Sequence, residues 1–406
     1  MTQNIPLLAL VVPTRNRPQY VASAIKSLLA IPSQELEIVI EDNSDSNELQ
    51  KWLNENAPDG RITYSYSNVQ TSQSGNYERS MRGVTAEYVA FIGDDDGVNP
   101  EILAATRWAK EQRFDVVVPR NSALFVWPDL QMSAKGAMNP GELRISSFTG
   151  QAWQSDPEAE LRKCVLSAGQ NFHDLPKAYY GIVRRETLEK VRDKTGLFFP
   201  GVSPDLAAAI ALANVAHKVC ILDYPLFLPG ASLRSNAGLG GLNKHVGKLE
   251  DQPHLGPDCV KAWSAVVPPF FSVQSIWAEA AVESLIKMER EDLLRQFNLP
   301  ELYFTLLTYY PGFRWMILKN YWPALRRIRR GIGEGTFALL TCFLRHGIRR
   351  IKRFYKRKNL CISDDKAHSQ RGIIDIQQAV SLLQEYLRTN NWSFSSQGVS
   401  CPDVGN

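Results

Sequence analysis

The sequence lacks the features that mark secreted and membrane-spanning proteins. No apolar run approaches the roughly 18 residues that cross a bilayer. The short apolar stretch at 7–12 has no basic region before it, so a signal peptide is not indicated. The six cysteines are scattered without C-x-x-C spacing, which disfavours a zinc site and a disulfide framework and is typical of a reducing cytosol. We therefore expect a cytoplasmic protein.

Two common phosphate-binding loops are also missing. The predicted first strand is followed by the stretch 13–18, which contains no glycine. The chain therefore has no G-x-G-x-x-G turn after that strand, and it has no G-x-x-x-x-G-K-S/T loop. These absences disfavour a dinucleotide-binding fold and a P-loop protein.

Positive charge is concentrated near the end of the chain. The 406 residues carry a net charge of +4, but segment 326–358 holds twelve Lys and Arg against one acid, Glu334. Aromatic residues interleave with this charge: Trp315, Tyr321, Trp322, Phe337, Phe343 and Phe354. This composition is typical of a helix on an anionic membrane surface. A nucleic-acid patch and a solvated face are the alternatives, and we expect no nucleic-acid partner.

Strands and helices alternate over the first 120 residues. Apolar runs predict strands at 7–12, 36–40, 61–66, 87–92 and 114–118, with helical spacing between them. This order predicts an α/β fold with a mostly parallel sheet flanked by helices. A helical C-terminal region follows the sheet.

The predicted organisation has four parts. Residues 1–235 form the main domain, with a first half at 1–120 and a second half at 121–235. A helical accessory region at 236–325 comes next, followed by a basic amphipathic segment at 326–362. The last part, 363–406, is predicted to be a linker, a short helix at 374–387 and a disordered tail after Asn391.

The most informative stretch is the predicted strand 87–92, which runs into Asp94, Asp95 and Asp96. Like charges repel, so the triplet gains nothing for folding by itself, and carboxylate oxygens are natural ligands of divalent cations. The strands before it end in the polar stretches 13–17 and 41–44. Such strand ends share one edge of an open α/β sheet, which predicts a crevice for a metal or a polyphosphate. A solvated turn closed by Gly97 is the alternative.

Three stretches, 11–17, 38–44 and 85–96, in this order and spacing resemble the family 2 glycosyltransferases of the GT-A fold. The resemblance covers residues 5–120 well and 175–235 weakly. It implies that 1–120 is the nucleotide half of the main domain and that 121–235 is its acceptor half. It implies a nucleotide-sugar site together with Mn²⁺ or Mg²⁺ held by Asp95 and Asp96. The implied nucleotide-sugar ligands are Pro13, Thr14, Arg15, Arg17, Glu41, Asp42, Asn76, Arg79 and Asp94. Glu41 departs from the Asp usual at its position, which leaves the nucleobase open.

The resemblance also implies a carboxylate base at the start of a helix in the second half of the domain. Asp205, in the context Ser203-Pro204-Asp205, matches that place and is the predicted base. The alternative is a charge that only favours the N-terminus of its helix. His245 is a weak further candidate for the metal.

The implied function is a metal-dependent inverting glycosyltransferase. It would move a sugar from a nucleotide-diphosphate donor, with a UDP-sugar favoured, to a glycan or lipid-linked acceptor in cell-surface polysaccharide biosynthesis. Segment 326–358 would hold it at the inner face of the plasma membrane. A sugar nucleotidyltransferase is one alternative, although that class needs a glycine-rich loop where 13–18 has none. A non-catalytic nucleotide-sugar-binding module is the other.

Overall fold

Strands dominate the first half of the chain and helices the second. The computed structural model describes residues 5–120, 122–132, 137–235, 238, 246–252, 254–356 and 367–394. In chain order the strands are β1 (Leu8–Thr14), β2 (Leu36–Asp42), β3 (Ile62–Tyr66), β4 (Tyr88–Phe91), β5 (Gly97–Val98), β6 (Val116–Pro119), β7 (Ala123–Val126), β8 (Glu142–Ile145), β9 (Ala152–Ser155), β10 (Ile182–Arg184), β11 (Val219–Leu222), β12 (Phe227–Leu228), β13 (Gly230–Ala231), β14 (Val246–Gly247), β15 (Phe271–Ser272) and β16 (His368–Gln370).

The helices surround this set of strands. In chain order they are α1 (Pro18–Leu29), α2 (Glu48–Asn56), α3 (Gln73–Ser80), α4 (Ile102–Glu111), α5 (Pro157–Leu166), α6 (Arg185–Thr195), α7 (Pro204–Ala213), α8 (Pro257–Ala262), α9 (Val273–Lys287), α10 (Glu291–Gln296), α11 (Leu299–Tyr309), α12 (Arg314–Arg327), α13 (Ile332–Lys356) and α14 (Ile376–Thr389). None of the helices in the described part of the chain is long and apolar enough to cross a membrane.

An eight-stranded sheet lies at the centre, with strand order β3-β2-β1-β4-β10-β6-β11-β9. The pairs β1–β2, β1–β4, β2–β3 and β6–β11 are parallel, whereas β10 and β9 run antiparallel to their neighbours. Helices cover both faces, so central strands such as β1 are buried along their whole length and carry continuous apolar sequence. The predicted α/β fold, with a mostly parallel sheet and a helical C-terminal region, is confirmed.

Alternate side chains of β1 belong to two separate apolar cores, because successive side chains of a strand point to opposite faces. Leu8, Leu10 and Val12 pack with α1, α4 and α14 on one face of the sheet. Ala9 and Val11 pack with α3, α6 and α7 on the other. The uninterrupted apolar run in the sequence therefore reflects two covered faces.

The register of the strands brings their polar ends to one edge. Pro13 pairs with Glu41 and Thr14 pairs with Asp42 across β1 and β2. Val11 pairs with Phe91 at the end of β4, so the acidic triplet follows directly beyond that strand. The three polar strand ends predicted to share a sheet edge do so.

The helical region forms a second core of its own, built mainly from α5, α7 and α9 to α12. Helix α9 packs along α7, where the Ser284 hydroxyl donates to the carbonyl of Ala207 at 2.9 Å. The backbone of the same helix also lies close to Gly201, which packs against Ala207 near the beginning of α7. The helical region therefore fixes the position of α7, which carries Asp205.

The end of the described chain returns to the nucleotide half. Strand β16 pairs with β8, and α14 packs on α1 and β5. Ile376, Val380 and Leu383 are buried in the same core as β1. A helix predicted at 374–387 is thus present as α14, with a structural role that its amphipathic pattern alone did not specify.

Two aromatic residues that the sequence analysis placed in the tail are part of the fold. Trp392 packs on Phe148, and Phe394 packs on Trp108 and Tyr224. Burial of these large apolar rings holds the chain to the domain as far as residue 394. Residues 395–406 lie outside the described part of the chain.

Shortening Leu383 to Ala should destabilise the nucleotide half. The residue lies far along the chain from this half, more than 280 positions after Gly97 in β5, on which α14 packs. Leu383 is fully buried in the core shared with β1, and such truncations cost about 2–5 kcal/mol. The exposed Gln384→Ala on the same helix is the control and should change the free energy of unfolding little. Urea unfolding followed by tryptophan fluorescence measures both; equal midpoints for the two variants would contradict the role of α14.

Candidate active-site cleft

A cleft of about 850 Å³ opens at the polar edge of the sheet, between the nucleotide half and the helical region. Eight of the residues predicted from the sequence line it: Pro13, Thr14, Arg15, Arg17, Asn76, Asp94, Asp95 and Asp205. The other four predicted residues, Glu41, Asp42, Arg79 and Asp96, are not part of its lining. The structure therefore divides the predicted residues into those on the wall of the cleft and those that support it.

Arg17 is the counter-ion of the acidic triplet. Its guanidinium pairs with the carboxylate of Asp94 and lies 2.9 Å from Oδ2 of Asp95. The Thr14 hydroxyl donates to Asp94 at 2.6 Å, and the Ser232 hydroxyl donates to Asp95 at 2.6 Å. Burial raises the pKa of Asp94 to about 6, against the opposing effect of the Arg17 charge. Sequence reasoning placed Arg17 beside the nucleotide but missed this pairing, because the two stretches are about 80 residues apart.

Asp96 has a different task from its two neighbours. Its Oδ1 accepts from the backbone N–H of Gly230 at 2.7 Å, and its Oδ2 accepts from the N–H of Gly93 and the hydroxyl of Tyr179. Burial, and then the charge of Asp95, raise the pKa of Asp96 to about 7. A Cβ on Gly230 would lie 1.9 Å from the carbonyl oxygen of Asp95. Asp96 therefore closes the acidic loop and ties it to β13.

The predicted metal site is only partly assembled from protein groups. Within the described residues, no group of three or more His, Cys, Asp or Glu side chains is placed to hold a metal. Both oxygens of Asp96 are engaged by hydrogen-bond donors, so Asp96 does not fit as a ligand. Asp95 fits better, since it lines the cleft and Mg²⁺ is commonly held by one or two carboxylates together with substrate phosphates. His245 lies outside the described residues.

The end of β2 is held by a small polar network. Asp42 is fully buried and accepts from the Tyr64 hydroxyl and the N–H of Ser44, both at 2.9 Å. Glu41 pairs with Arg79 at 3.2 Å, and although burial raises the pKa of Glu41, the Arg79 charge opposes that rise. These contacts give the three residues a supporting role.

Asn76 and Asn43 bridge the strand ends next to the cleft. The Asn76 amide donates to the carbonyls of Thr14 and Glu41, at 3.3 and 3.4 Å, and so spans β1 and β2. Asn43 donates to the carbonyls of Ser67 and Val69 and also lines the cleft. Sequence reasoning did not single out Asn43, although it directly follows Asp42 at the same strand end.

Asp205 lies in the first turn of α7, on the wall of the same cleft. The Ser203 hydroxyl, which precedes the helix, donates to its Oδ1 at 2.9 Å. Burial raises the pKa of Asp205, while that hydrogen bond and the charge of Lys177 oppose the rise. Burial lowers the pKa of Lys177 to about 8. The cleft thus holds a second carboxylate with an environment unlike that of the Arg17 pair.

The helical region supplies a wall that sequence reasoning did not identify. It consists of residues from the loop before α8, from β15 and from α9: Gln252, His254, Phe271, Val273, Ile276 and Trp277. The N–H of Gln73 donates to the carbonyl of His254 at 2.9 Å, which joins this wall to α3. Trp277 is half-buried and packs edge-on against Phe172 at 4.9 Å. The only sign of this wall in the sequence was the aromatic content of residues 262–328.

Asp96→Asn should destabilise the protein by about 1–3 kcal/mol, because the amide keeps one acceptor oxygen and turns its NH₂ towards a backbone donor. Urea unfolding measures the change. The exposed Asp251→Asn is the control and should unfold at the wild-type midpoint. An unchanged midpoint for Asp96→Asn would refute the structural role of this carboxylate.

The sequence matches known glycosyltransferases in its first part. Residues 9–146 match the family model described as Glycosyl transferase family 2. The chain is 32% identical over 94 residues to the GalNAc(5)-diNAcBac-PP-undecaprenol beta-1,3-glucosyltransferase of Campylobacter jejuni. This match covers 23% of this chain and 30% of that protein. It is 30% identical over 112 residues to the putative colanic acid biosynthesis glycosyl transferase WcaA of Escherichia coli, covering 27% of this chain and 40% of that protein. The matches thus span less than half the length of either relative.

A solved structure with a similar arrangement is residues 1–349 of S. aureus TarS in complex with UDP-GlcNAc. The two share 16% sequence identity, and the superposition covers 80% of this chain and 93% of that one with a TM-score of 0.46. The family match coincides with the strands and loops that carry the acidic triplet and the Arg17 stretch. The resemblance seen in the three motifs is confirmed for this part of the chain: residues 9–146 match the model of the same glycosyltransferase family.

Proposed function

We propose that this chain transfers a sugar from a nucleoside-diphosphate donor to a glycan or lipid-linked acceptor, with inversion at the anomeric carbon, in cell-surface polysaccharide biosynthesis. One observation carries the proposal. Asp95, in the stretch that matches the family 2 model, lies on the wall of a cleft that also contains Asp205, a half-buried carboxylate from a different part of the chain. A leaving-group site and a base in one cleft are what such a reaction needs.

The donor would lie along the sheet edge, with its diphosphate near Arg17 and Asp95. A guanidinium binds phosphate oxygens through charge-assisted hydrogen bonds, so Arg17 can exchange its carboxylate partners for the diphosphate. Asp95, together with phosphate oxygens, would hold Mn²⁺ or Mg²⁺. When bound, this cation neutralises charge on the leaving diphosphate. A UDP-sugar is the favoured donor, and the polar strand ends at Thr14 and Asn43 border the space for its nucleoside.

Asp205 would act as the base. Its carboxylate accepts the proton of the acceptor hydroxyl while the oxygen of that hydroxyl bonds to the anomeric carbon and the bond to the diphosphate breaks. The nucleoside diphosphate then leaves with the electron pair of the broken bond. Burial raises the pKa of Asp205, which increases its ability to take up a proton. Ser203 holds one oxygen of the carboxylate and thereby sets its orientation.

The acceptor would enter against the wall formed by the helical region. Trp277 offers aromatic surface there, and Gln252 offers an amide. A sugar has apolar patches of C–H bonds bordered by hydroxyls, so it suits a wall that combines aromatic rings with a few polar groups. The acceptor would then occupy the side of the cleft that lies outside residues 9–146.

Asp95→Asn and Asp205→Asn should fail in different ways. Asp95→Asn should lose turnover and metal-dependent UDP binding. Asp205→Asn should lose about 10²–10⁴-fold in turnover, the usual contribution of a general base, while it still binds UDP. Release of nucleoside diphosphate from a panel of nucleotide sugars, with calorimetric UDP binding, measures both effects.

The controls separate the alternatives. The exposed Asp251→Asn should behave as wild type. Wild-type turnover in Asp205→Asn would remove that residue as the base. A sugar nucleotidyltransferase would release pyrophosphate when given a sugar phosphate and a nucleoside triphosphate. UDP binding without release from any donor, even with glycan and lipid-linked acceptors present, would indicate a binding module.

The pH profile of turnover should depend on the hydrogen bond that Ser203 donates to Asp205. The base works only when deprotonated, so activity falls as the pH drops through the raised pKa of Asp205, above the ordinary Asp value of about 3.9. Ser203→Ala removes a hydrogen bond that favours the charged carboxylate, so the acidic limb of kcat should move to higher pH. Ser203→Thr keeps a hydroxyl and should leave the limb in place; identical limbs in all three proteins would contradict this role.

A further inference from the structure

Two helices at the end of the helical region carry large apolar side chains that are open to solvent. Trp315 on α12 is 81% exposed, and Phe337 and Leu344 on α13 are 70% and 68% exposed. Leu318, Trp322 and Leu340 are also exposed. We call these six residues the docking face. Large apolar side chains exposed together on neighbouring helices are uncommon on a monomer and mark an interaction site.

The spacing of the docking face makes it a property of the helices rather than a chance grouping. Positions 315, 318 and 322 recur on one side of α12, and positions 337, 340 and 344 recur on one side of α13. The opposite side of α12 is anchored in the second core by Ile317, Tyr321 and Leu325, which are buried. The apolar stripes therefore face away from the protein, on two helices that pack against each other.

The same part of the chain is rich in positive charge. In the sequence, segment 326–358 begins in the last turn of α12, contains all of α13 and holds twelve Lys and Arg and a single acid. Arg326 and Arg327 lie in the last turn of α12, and Lys319 is exposed one position after Leu318. Apolar side chains next to basic ones match the boundary between headgroups and acyl chains in a bilayer with anionic lipids.

We propose that the docking face binds the surface of an anionic lipid bilayer, with the apolar side chains in the headgroup–acyl boundary and the basic side chains on lipid phosphates. The face lies on the bilayer and does not cross it, since no helix of the described chain can span one. This inference goes beyond the proposed transfer reaction and does not rest on it, because membrane binding is measured without turnover.

Two other occupants fit the face less well. A second copy of this chain, docked through a two-fold axis, would bring the same basic segment against itself, and like charges would oppose that contact. A nucleic acid would pair with the basic residues but would leave the leucine side chains without an apolar partner. A bilayer accommodates both the charge and the apolar stripes.

Vesicle flotation of the full-length protein tests the proposal. Wild type should float with vesicles that contain phosphatidylglycerol, should float less with pure phosphatidylcholine vesicles, and should detach as salt screens the charge. The triple variant Trp315→Ser, Phe337→Ser and Leu344→Ser should lose at least about tenfold in vesicle partitioning, because three large apolar side chains no longer insert.

Matched variants make the result specific. The control Leu166→Ser, Ile286→Ser and Ile374→Ser removes exposed apolar side chains elsewhere and should float as wild type. The variant Arg326→Gln with Arg327→Gln should weaken flotation only with anionic vesicles. Because the substituted side chains are exposed, circular dichroism and UDP binding should remain unchanged.

Three outcomes would overturn the proposal. One is the absence of wild-type flotation with both kinds of vesicle. Another is equal flotation of wild type and the docking-face triple variant. The third is a concentration-dependent dimer in sedimentation that the triple variant abolishes while neither protein floats, since the face would then be covered by a second copy.

Discussion

The ion pair between Arg17 and the carboxylates of Asp94 and Asp95 is the interaction on which the cleft depends. Three acidic side chains are almost completely buried at the end of β4, where unpaired charge costs several kcal/mol per group. Arg17 offsets part of that cost and also fixes the turn between β1 and α1 against the acidic loop. The loop is therefore held in place by the protein's own groups, and the proposed diphosphate would meet a cationic group that is already oriented.

The backbone around the triplet is shaped to keep this arrangement. Asp96 draws the N–H groups of Gly93 and Gly230 towards itself, which joins β4 to β13 across more than 130 residues of sequence. The three successive aspartates thus differ in their contacts. Asp94 and Asp95 both face the cleft and share Arg17, whereas Asp96 holds the loop closed.

Local pattern was enough to predict the strands, their shared polar edge and the family whose model matches residues 9–146. Thr14 and Asp94 could be placed at one edge because strand direction and order follow from the alternation of strands and helices. Asp42 and Asp96 could not be recognised as supporting residues, since their hydrogen-bond partners come from other elements. Trp277 and the rest of the wall that the helical region supplies could not be predicted for the same reason. Helix α9 reaches the cleft only because it packs on α7. The return of α14 to the first core depends equally on long-range contacts.

The position of α14 has a consequence for how the protein is made. Its Val380 and Ile376 side chains pack directly on Gly97, where even a Cβ would come within 2.5 Å of Val380. The core around β1 and α1 is therefore incomplete until residues near 390 have left the ribosome. At roughly 5–20 residues per second, synthesis of the intervening chain takes on the order of tens of seconds. During that time the nascent nucleotide half exposes the apolar surface beside its acidic loop that α14 later covers.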